Sequence, residues 1–464
     1  MNNYQSTIAA ISTPPGKGGV AVIRISGKDA LTIASEIFLP ASKRDFSSAA
    51  PRMQIYGSVV HNGEVIDDGM ATYFKAPASY TGEDVVEISC HGGILVAEAV
   101  LEAIFAHGAA PARAGEFTER AFLAGKLSLT EAEAVGNLLS AESREQMKLA
   151  SVKSRSKLTD KILTIRGTLT SVLSSTFARI DYPDEDLGDF SDAEASEMLK
   201  EVRQSAKTLF DTYDTAKAIC EGVKTVICGK PNVGKSSLYN LLVGRDAAIV
   251  TDIEGTTRDV LTERIQLGRV MLQLSDTAGL RENRATDAVE KIGMERSRRA
   301  ISECELIIAV FDRSSGFDEE DEELISLIKN SPATKIAVLN KCDAEAMLCA
   351  DKINGSFDAT VEISALADGD GAKKRLADIV NKLFTDEKIS VGNEAVIFSA
   401  RQRASLERAI SLIDSAILAL DLGMPQDAVS SDVEAALGAI AELDGRAVTE
   451  EIVADIFSKF CVGK

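Results

Sequence analysis

The sequence predicts a multidomain protein with an N-terminal α/β domain, a discontinuous all-α helical domain, and a second α/β domain inserted into the helical one. Three observations predict this organisation. Short apolar runs and glycine-rich turns fill residues 1–120, apolar residues recur at helical spacing in 121–220 and 385–464, and strand-like runs alternate with helical segments in 221–384. A chain of 464 residues is long enough for about two to four domains.

The N-terminal α/β domain is indicated by strand-like runs that end in turns. Ala21-Val22-Ile23 and Val85-Val86-Glu87-Ile88 are such runs, and a helical stretch begins near Ile94. Further on, Thr130 and Glu133 have the spacing of a capping box, which predicts the start of a helix there.

Two segments form the predicted helical domain. The first contains one long helix, which ends at Tyr182-Pro183, and a second helix with Met198, Val202, Leu209 and Tyr213 on its apolar side. The apolar stripe of the long helix consists of Leu158, Ile162, Ile165, Leu169, Val172, Leu173, Phe177 and Ile180. Helical spacing resumes in 385–464, so the intervening domain is predicted to be an insertion.

Five short apolar runs separated by helical segments predict a doubly wound parallel sheet in 221–384. The runs are Val223–Cys228, Val270–Leu274, Leu306–Phe311, Ile336–Leu339 and Val361–Ile363. The acidic run Asp318–Glu323 is typical of a solvated loop or first helical turn and predicts no function.

Composition and charge exclude several classes of protein. The 51 basic and 71 acidic side chains give a net charge of −20, so a nucleic-acid partner requires a local basic patch or a second protein. Seven singly spread cysteines and three scattered histidines argue against a disulfide framework and a histidine-ligated metal site. Because neither a secretory signal nor a long apolar run is visible, we expect a cytoplasmic protein with no membrane partner.

The run Gly229–Ser237 (GKPNVGKSS) matches G-x-x-x-x-G-K-[ST] between a predicted strand and a predicted helix. In such a loop the N–H groups wrap phosphates, Lys235 reaches the β- and γ-phosphates, and the Ser236 hydroxyl binds Mg²⁺. The structural alternative is a glycine turn at the start of a helix.

Three further motifs follow later strands. Asp276-Thr277-Ala278-Gly279 is placed to hold the water shell of Mg²⁺ and to sense the γ-phosphate. Asn340-Lys341-Cys342-Asp343 supplies a carboxylate that accepts from the N1–H and amine of guanine, and Ser364-Ala365-Leu366 fits the loop that supports the base. Adenine lacks that donor pair, so the substrate is predicted to be GTP. The inserted domain is therefore predicted to be a Ras-like α/β P-loop GTPase domain, an enzyme that acts on acid anhydrides.

Leu280 stands where most small GTPases have a water-orienting Gln. An apolar side chain cannot orient water, so either hydrolysis is nearly absent or another group does this. Glu290 is the nearest plausible carboxylate, with an exposed helix residue as the alternative. The negative charge on the leaving phosphate must also be neutralised. Either Arg258 does this as an arginine finger in cis, or a monovalent cation does, held by Asn232 and the loop Thr251–Thr257.

Several runs distributed along the chain point to one family. They are Asn232 within the phosphate loop, Thr251–Asp259, Asp276–Leu280, the final run Phe460–Lys464, and, outside the GTPase region, Thr13–Gly19, Thr81–Asp84, His91–Gly93 and Gly115–Phe122. With these runs the whole chain resembles the bacterial tRNA-modification GTPase family MnmE, also called TrmE. The final C-[ILV]-G-K pattern is the most specific of them.

The resemblance implies a potassium-activated, homodimeric GTPase that forms a heterotetramer with the FAD-dependent protein MnmG. The complex would add an aminomethyl or carboxymethylaminomethyl group to C5 of the wobble uridine, binding tRNA largely through the partner. The N-terminal domain would mediate dimerisation and bind a tetrahydrofolate derivative, either 5-formyl or 5,10-methylene.

Matching position by position, the resemblance also implies site residues. The folate ligands are Arg24, Glu87, Lys126 and Lys464. The Mg²⁺ ligands are Ser236 and Thr257, and the K⁺ ligands are Asn232, Thr251, Ile253 and Thr256. The catalytic residues are Lys235 and the water-orienting Glu290. The GTP-binding set consists of Asn232, Val233, Gly234, Lys235, Ser236, Ser237, Thr251, Asp252, Ile253, Glu254, Gly255, Thr256, Thr257, Asp276, Thr277, Ala278, Gly279, Asn340, Lys341, Asp343, Ser364, Ala365 and Leu366.

Some of these assignments have structural alternatives. Arg24 and Glu87 are also explained by a simple ion pair, and Lys464 by a frayed terminus. Cys461 could be a nucleophile, but no basic or histidine partner lies nearby in the sequence, so packing or a structural tail is favoured and Cys461 is not predicted to be catalytic. For the chain as a whole, the alternative function is a GTP-dependent ribosome or RNA assembly switch without covalent chemistry. Such proteins usually carry a basic RNA-binding domain, and none is visible in the sequence.

Overall fold

The computed structural model describes residues 6–182, 191–244, 263–274, 300–348, 353–386, 389 and 394–464. The chain divides into two compact units. Unit 1 consists of Met1–Leu139, Ile162–Leu187 and Met424–Lys464, and unit 2 of Ser140–Lys161 and Gly188–Gly423. Within the ranges described, no helix is both long and apolar enough to cross a membrane.

The strands of the described residues are β1 (Ile8–Ile11), β2 (Val20–Ser26), β3 (Phe38–Pro40), β4 (Gln54–His61), β5 (Glu64–Phe74), β6 (Val85–His91), β7 (Ala110–Pro111), β8 (Val223–Cys228), β9 (Glu263–Leu267), β10 (Val270–Leu274), β11 (Leu306–Asp312), β12 (Thr334–Asn340) and β13 (Ala359–Glu362).

The α-helices of the same residues are α1 (Ala30–Ile37), α2 (Ile94–Ala106), α3 (Glu116–Leu123), α4 (Leu129–Leu139), α5 (Arg144–Leu149), α6 (Val152–Asp181), α7 (Asp192–Phe210), α8 (Tyr213–Cys220), α9 (Lys235–Val243), α10 (Glu319–Lys329), α11 (Asp370–Phe384), α12 (Ala400–Asp421), α13 (Gln426–Asp444) and α14 (Glu450–Ser458).

Unit 1 contains a seven-stranded sheet with the order β3-β4-β5-β6-β2-β1-β7. Its strand pairs are antiparallel except β1 with β7. Side chains alternate between the two faces of β2, so Ile23 and Ile25 are fully buried in a core shared with α1 and α2. Arg24, between them, lies on the opposite face, in register with Glu87 of β6.

The helices of unit 1 share a smaller apolar core formed by Leu129, Ala132, Val453 and Phe457. The start of α4 differs from the prediction, because the capping box predicted at Thr130 and Glu133 is wrong. Ser128 and Glu131 exchange the reciprocal hydrogen bonds, since the helix begins one residue before Thr130. The buried Thr130 hydroxyl instead donates to the carbonyl oxygen of Leu443.

Unit 2 contains a six-stranded sheet with the order β13-β12-β11-β8-β10-β9. All pairs are parallel except β9 with β10. The five predicted strands are present, with bounds shifted by no more than about two residues at either end. The edge strand β9 was not predicted, because its short ERIQL alternation has only two buried apolar residues.

The helical part of unit 2 differs from the prediction at one point. Tyr213 does not belong to the second predicted helix: α7 ends at Phe210, and Tyr213 begins α8. Between the helices the hydroxyl of Thr212 donates to the carbonyl oxygen of Leu209, a local bond that interrupts the helical ladder. The predicted fold class, with an N-terminal α/β domain, a discontinuous helical domain and an inserted α/β P-loop domain, is confirmed.

Candidate functional site

The phosphate loop Gly229–Ser237 connects β8 to α9 in unit 2 and includes the first turn of that helix. Gly229 and Gly234 have φ angles of +152° and +100°, which favour glycine. A Cβ at Gly234 would lie 2.1 Å from Nδ2 of Asn340, and one at Gly229 would lie 2.5 Å from the carbonyl oxygen of Val310. Both glycines are therefore required by the backbone conformation and by close packing.

Lys235 begins α9, and its ammonium is directed back onto the loop. Nζ donates to the carbonyl oxygens of Gly229 at 2.9 Å and Lys230 at 2.8 Å. Burial lowers the pKa of Lys235, because the charged form is poorly solvated there. A bound anion would stabilise the ammonium, which is the chemistry that a phosphate group supplies.

Asn340, at the end of β12, joins three loops. Its side chain is buried, Nδ2 donates to the carbonyl oxygen of Val233 at 2.8 Å, and Oδ1 accepts from the backbone N–H of Ala365 at 2.9 Å. The predicted phosphate, guanine and base-support loops are therefore held together by one amide.

Lys341 and Asp343 complete the predicted guanine loop. Nζ of Lys341 pairs with Oδ2 of Asp312 at 2.5 Å. Burial alone would raise the pKa of Asp312, but hydrogen bonds from Lys341 and Ser314 outweigh it and hold the pKa below its ordinary value. The Asp343 side chain is exposed, where a ligand can reach its carboxylate.

The remaining described GTP residues lie around this group. Ser364 and Ala365 are buried, whereas the side chain of Leu366 is 85% exposed. Ser364 Oγ accepts from the backbone N–H of Ala367, which closes the loop as a turn. Asn232 and Ser236 are exposed and Val233 is buried.

Part of the predicted site lies outside the described residues. This part consists of Thr251, Asp252, Ile253, Glu254, Gly255, Thr256, Thr257, Asp276, Thr277, Ala278, Gly279 and Glu290, together with Arg258 and Leu280. Of the predicted metal ligands, only Ser236 for Mg²⁺ and Asn232 for K⁺ are described.

Lys230 forms an ion-pair group that the sequence did not predict. Its Nζ pairs with Oδ2 of Asp318 at 2.5 Å and Oδ2 of Asp321 at 2.9 Å. The acidic run is a first helical turn, as one of the two predicted alternatives has it, and Asp318 caps α10. Two aspartates of this run pair with Lys230 and so connect α10 to the phosphate loop. The sequence signals of this group are two aspartates at capping-box spacing, three positions apart, and a lysine in the phosphate loop.

Arg24 and Glu87 face each other across β2 and β6 in unit 1. Nε and Nη2 of Arg24 lie 2.9 and 2.8 Å from Oε1 of Glu87. The guanidinium also lies over the rings of Tyr80 and Phe117, 5.2 and 5.5 Å from their centroids. The ion pair expected as the structural alternative is present, and the two aromatic residues are contacts that the sequence did not predict.

Lys126 and Lys464 lie on separate segments of unit 1. Nζ of Lys126 donates to the carbonyl oxygen of Pro77 at 2.8 Å, on the loop before β6. An oxygen of Lys464 accepts from the backbone N–H of Phe117 at 3.2 Å. Phe117 is thus in contact with both the Arg24 guanidinium and the last residue.

The segment Cys461–Lys464, called the tail below, is held through hydrogen bonds to its own backbone. Ser12 Oγ donates to the carbonyl oxygen of Gly463 at 3.1 Å, and Val462 forms an antiparallel bridge with Ala114. Gly463 has φ of +93°, and a Cβ there would lie 2.3 Å from the carbonyl oxygen of Ile11. The alternative of a frayed terminus is therefore wrong. Cys461 is exposed and is a free thiol.

Comparisons with known proteins agree with these features. A family model described as "GTP-binding protein TrmE N-terminus" matches residues 7–126, and one described as "MnmE helical domain" matches residues 129–461. The tRNA modification GTPase MnmE of Clostridioides difficile is 39% identical over 463 residues, which cover 99% of each protein.

The chain belongs to the MnmE family of tRNA modification GTPases. Two further MnmE proteins support this. The one from Thermotoga maritima is 39% identical over 461 residues, covering 99% of this chain and 100% of that protein. The one from Lacticaseibacillus paracasei is 38% identical over 460 residues, covering 99% and 98%. The MnmE resemblance inferred from short runs is therefore confirmed over the full length of the chain.

Proposed function

We propose that this chain is the GTP-hydrolysing subunit of a tRNA-modification complex that adds an aminomethyl or carboxymethylaminomethyl group to C5 of the wobble uridine, using a tetrahydrofolate one-carbon unit. The observation that carries the proposal is Asn340, whose amide joins the phosphate and guanine loops. Membership of the MnmE family supports the tRNA part.

For GTP, each described residue has a role that its position supports. The N–H groups of the phosphate loop surround the phosphates, and Lys235 exchanges its bonds to loop carbonyls for bonds to phosphate oxygens. The exposed carboxylate of Asp343 accepts from the two guanine donors. Ser236, at the first turn of α9, would hold Mg²⁺. Thr257 and Glu290 lie outside the described residues; they would be the second Mg²⁺ ligand and the group that orients the attacking water.

For activation by K⁺, the described support is limited to Asn232. It is exposed in the phosphate loop with φ of +62°, in the left-handed region that asparagine adopts more readily than most residues other than glycine. Its side-chain oxygen would be one ligand, with Thr251, Thr256 and the backbone carbonyl oxygen of Ile253 as the others. This ion would take the place of an arginine finger from Arg258.

The residues around Arg24 fit a folate ring system. Pterin is flat and carries an amine and ring N–H groups, and Glu87 is a carboxylate with 29% of its side chain exposed between strands. The partly exposed ring of Tyr80 provides an apolar face, whereas Phe117 is fully buried, and Lys126 and Lys464 provide cations for carboxylates. The bound folate supplies a one-carbon unit, and these side chains bind and orient it.

The net charge and the family support the proposed partners. A chain with a net charge of −20 binds tRNA poorly alone, so we propose that a homodimer works with FAD-dependent MnmG in a heterotetramer that supplies the tRNA surface. We propose four segments: a folate-binding and dimerisation domain at 1–120, a helical domain formed by 121–220 and 385–464, and a GTPase domain at 221–384.

Wobble nucleosides of tRNA test this function against the assembly-switch alternative. We expect mass spectrometry of tRNA from a strain lacking this gene to show loss of the C5 modification, restored by the wild-type gene but not by Asp343→Asn. The control Glu345→Gln, in the same exposed segment, should restore it fully. Normal wobble nucleosides in the deletion strain, together with accumulated ribosome precursors, would favour the assembly switch.

A further inference from the structure

A partly buried ion group joins three segments of unit 1. Arg120, with 3% of its side chain exposed, donates from Nη1 to both carboxylate oxygens of Glu83, at 3.1 and 3.2 Å, and from Nη2 to Oε1 of Glu116, at 2.8 Å. Glu83 also accepts from Ser26 Oγ at 2.7 Å. The group therefore ties strand β2, the loop before β6 and helix α3 together.

The first turn of α3 and Gly115, the residue just before it, hold the tail. The backbone N–H of Phe117 donates to an oxygen of Lys464 at 3.2 Å, and that of Gly115 donates to the carbonyl oxygen of Cys461 at 3.4 Å. Gly115 approaches the last helix so closely that a Cβ there would lie 2.5 Å from the carbonyl oxygen of Phe457. A small displacement of α3 would break these contacts.

Arginine is suited to this position because its planar fork binds two carboxylates at once. A lysine ammonium pairs with both only if it moves between them. Buried ion groups contribute little net stability, and in some proteins they instead set the relative positions of the segments that carry them. Glu83 and Glu116 lie in two of the runs that resemble the family and that have no assigned ligand.

We propose that Arg120 is the positioning residue of the tail. By holding Glu83 and Glu116 together it sets the position of α3, whose N–H groups retain Cys461–Lys464. Retention of the tail by α3 does not depend on folate. A loss of folate binding on release of Lys464 rests on the proposed function.

The test measures how fast carboxypeptidase B releases Lys464 from the folded chain of 464 residues. We expect Arg120→Met to release it about tenfold faster than wild type and Arg120→Lys about threefold faster, because opening of the tail becomes more frequent. The matched control Arg44→Met removes an exposed arginine of the same unit and should release Lys464 at the wild-type rate. Thermal unfolding of each variant shows that the fold is retained.

Wild-type release from a folded Arg120→Met would overturn the proposal. If that variant does not fold, Arg120→Lys and Glu83→Gln decide, and unchanged release from both would overturn it equally. Calorimetric titration with 5-formyl-tetrahydrofolate separates the two claims. Faster release with unchanged folate affinity would support the positioning of the tail and contradict the folate role of Lys464.

Discussion

Asn340 donates a hydrogen bond to the carbonyl oxygen of Val233, at 2.8 Å, and so connects the predicted guanine loop directly to the phosphate loop. The same amide accepts from the N–H of Ala365. Because both partners are backbone groups, the positions of the three loops depend on one side chain. Nucleotide binding and stability of the inserted domain are therefore expected to depend on the same residue.

Asn340→Ala tests this dependence. It leaves the oxygen of Val233 and the N–H of Ala365 without their buried partner, which should lower the free energy of unfolding by about 2–4 kcal/mol. Urea denaturation measures the loss, and fluorescent GDP should bind at least about tenfold more weakly. The control Asn330→Ala changes an exposed asparagine at the end of α10 and should leave both unchanged. Normal GDP affinity in Asn340→Ala would contradict the role of this amide.

Lys230→Met tests the connection between the phosphate loop and α10. Asp321, with 3% of its side chain exposed, would lose its cation, so we expect a loss of about 2 kcal/mol in stability and faster release of GDP. Lys230→Arg keeps the charge and should retain most of both. Stopped-flow release of labelled GDP is the measurement. Equal release from Lys230→Met and wild type would show that the ion pair does not position the loop.

Stability in acid should depend on Glu116. Burial alone would raise the pKa of Glu116, but the N–H of Arg113 and the charges of Arg120 and Arg113 outweigh it and hold the pKa below its ordinary 4.5. The folded state therefore binds fewer protons, and its contribution is present above about pH 4.5 and lost as pH falls through the folded pKa.

Glu116→Gln should flatten the pH dependence of the free energy of unfolding between about pH 5 and pH 3, measured by urea denaturation. Glu98→Gln, an exposed carboxylate on α2, is the control and should leave the dependence as in wild type. If the free energy of unfolding of Glu116→Gln falls with decreasing pH as steeply as that of wild type, this role of Glu116 is contradicted.

The choice of cation tests the position of Asn232. We expect GTP hydrolysis to be at least about tenfold faster in K⁺ than in Na⁺, with Asn232→Ala removing the difference, because the oxygen of this side chain is a proposed ligand. The measurement is the rate at which phosphate is released from GTP in each of the two salts. Equal turnover, together with a large loss in Arg258→Ala, would favour the arginine finger.

Sequence reasoning succeeded where the signal is local. The strand Val223–Cys228 and the helix starting at Ile94 were predicted because apolar period and glycine position are local properties. The phosphate loop was predicted for the same reason, since its glycines and Lys235 are consecutive in the chain.

Long-range contacts could not be predicted in the same way. Lys230 and Asp321 are separated by 91 positions, and no periodic pattern relates them. Ser12 and Gly463 are 451 positions apart, and their hydrogen bond arises only from the packing of unit 1. The predicted start of α4 was wrong because two hydroxyl residues, Ser128 and Thr130, both have an acidic residue three positions later. Ser128 is the one that caps the helix, which begins at Leu129.

The most direct test of the account is a calorimetric titration of the chain lacking Cys461–Lys464 with 5-formyl-tetrahydrofolate, beside a GTPase assay on the same preparation. The nucleotide residues lie in unit 2 and the tail in unit 1, so we expect folate binding to be lost while GTP affinity and hydrolysis in K⁺ stay within about twofold of wild type. Undiminished folate binding by the truncated chain would contradict the account.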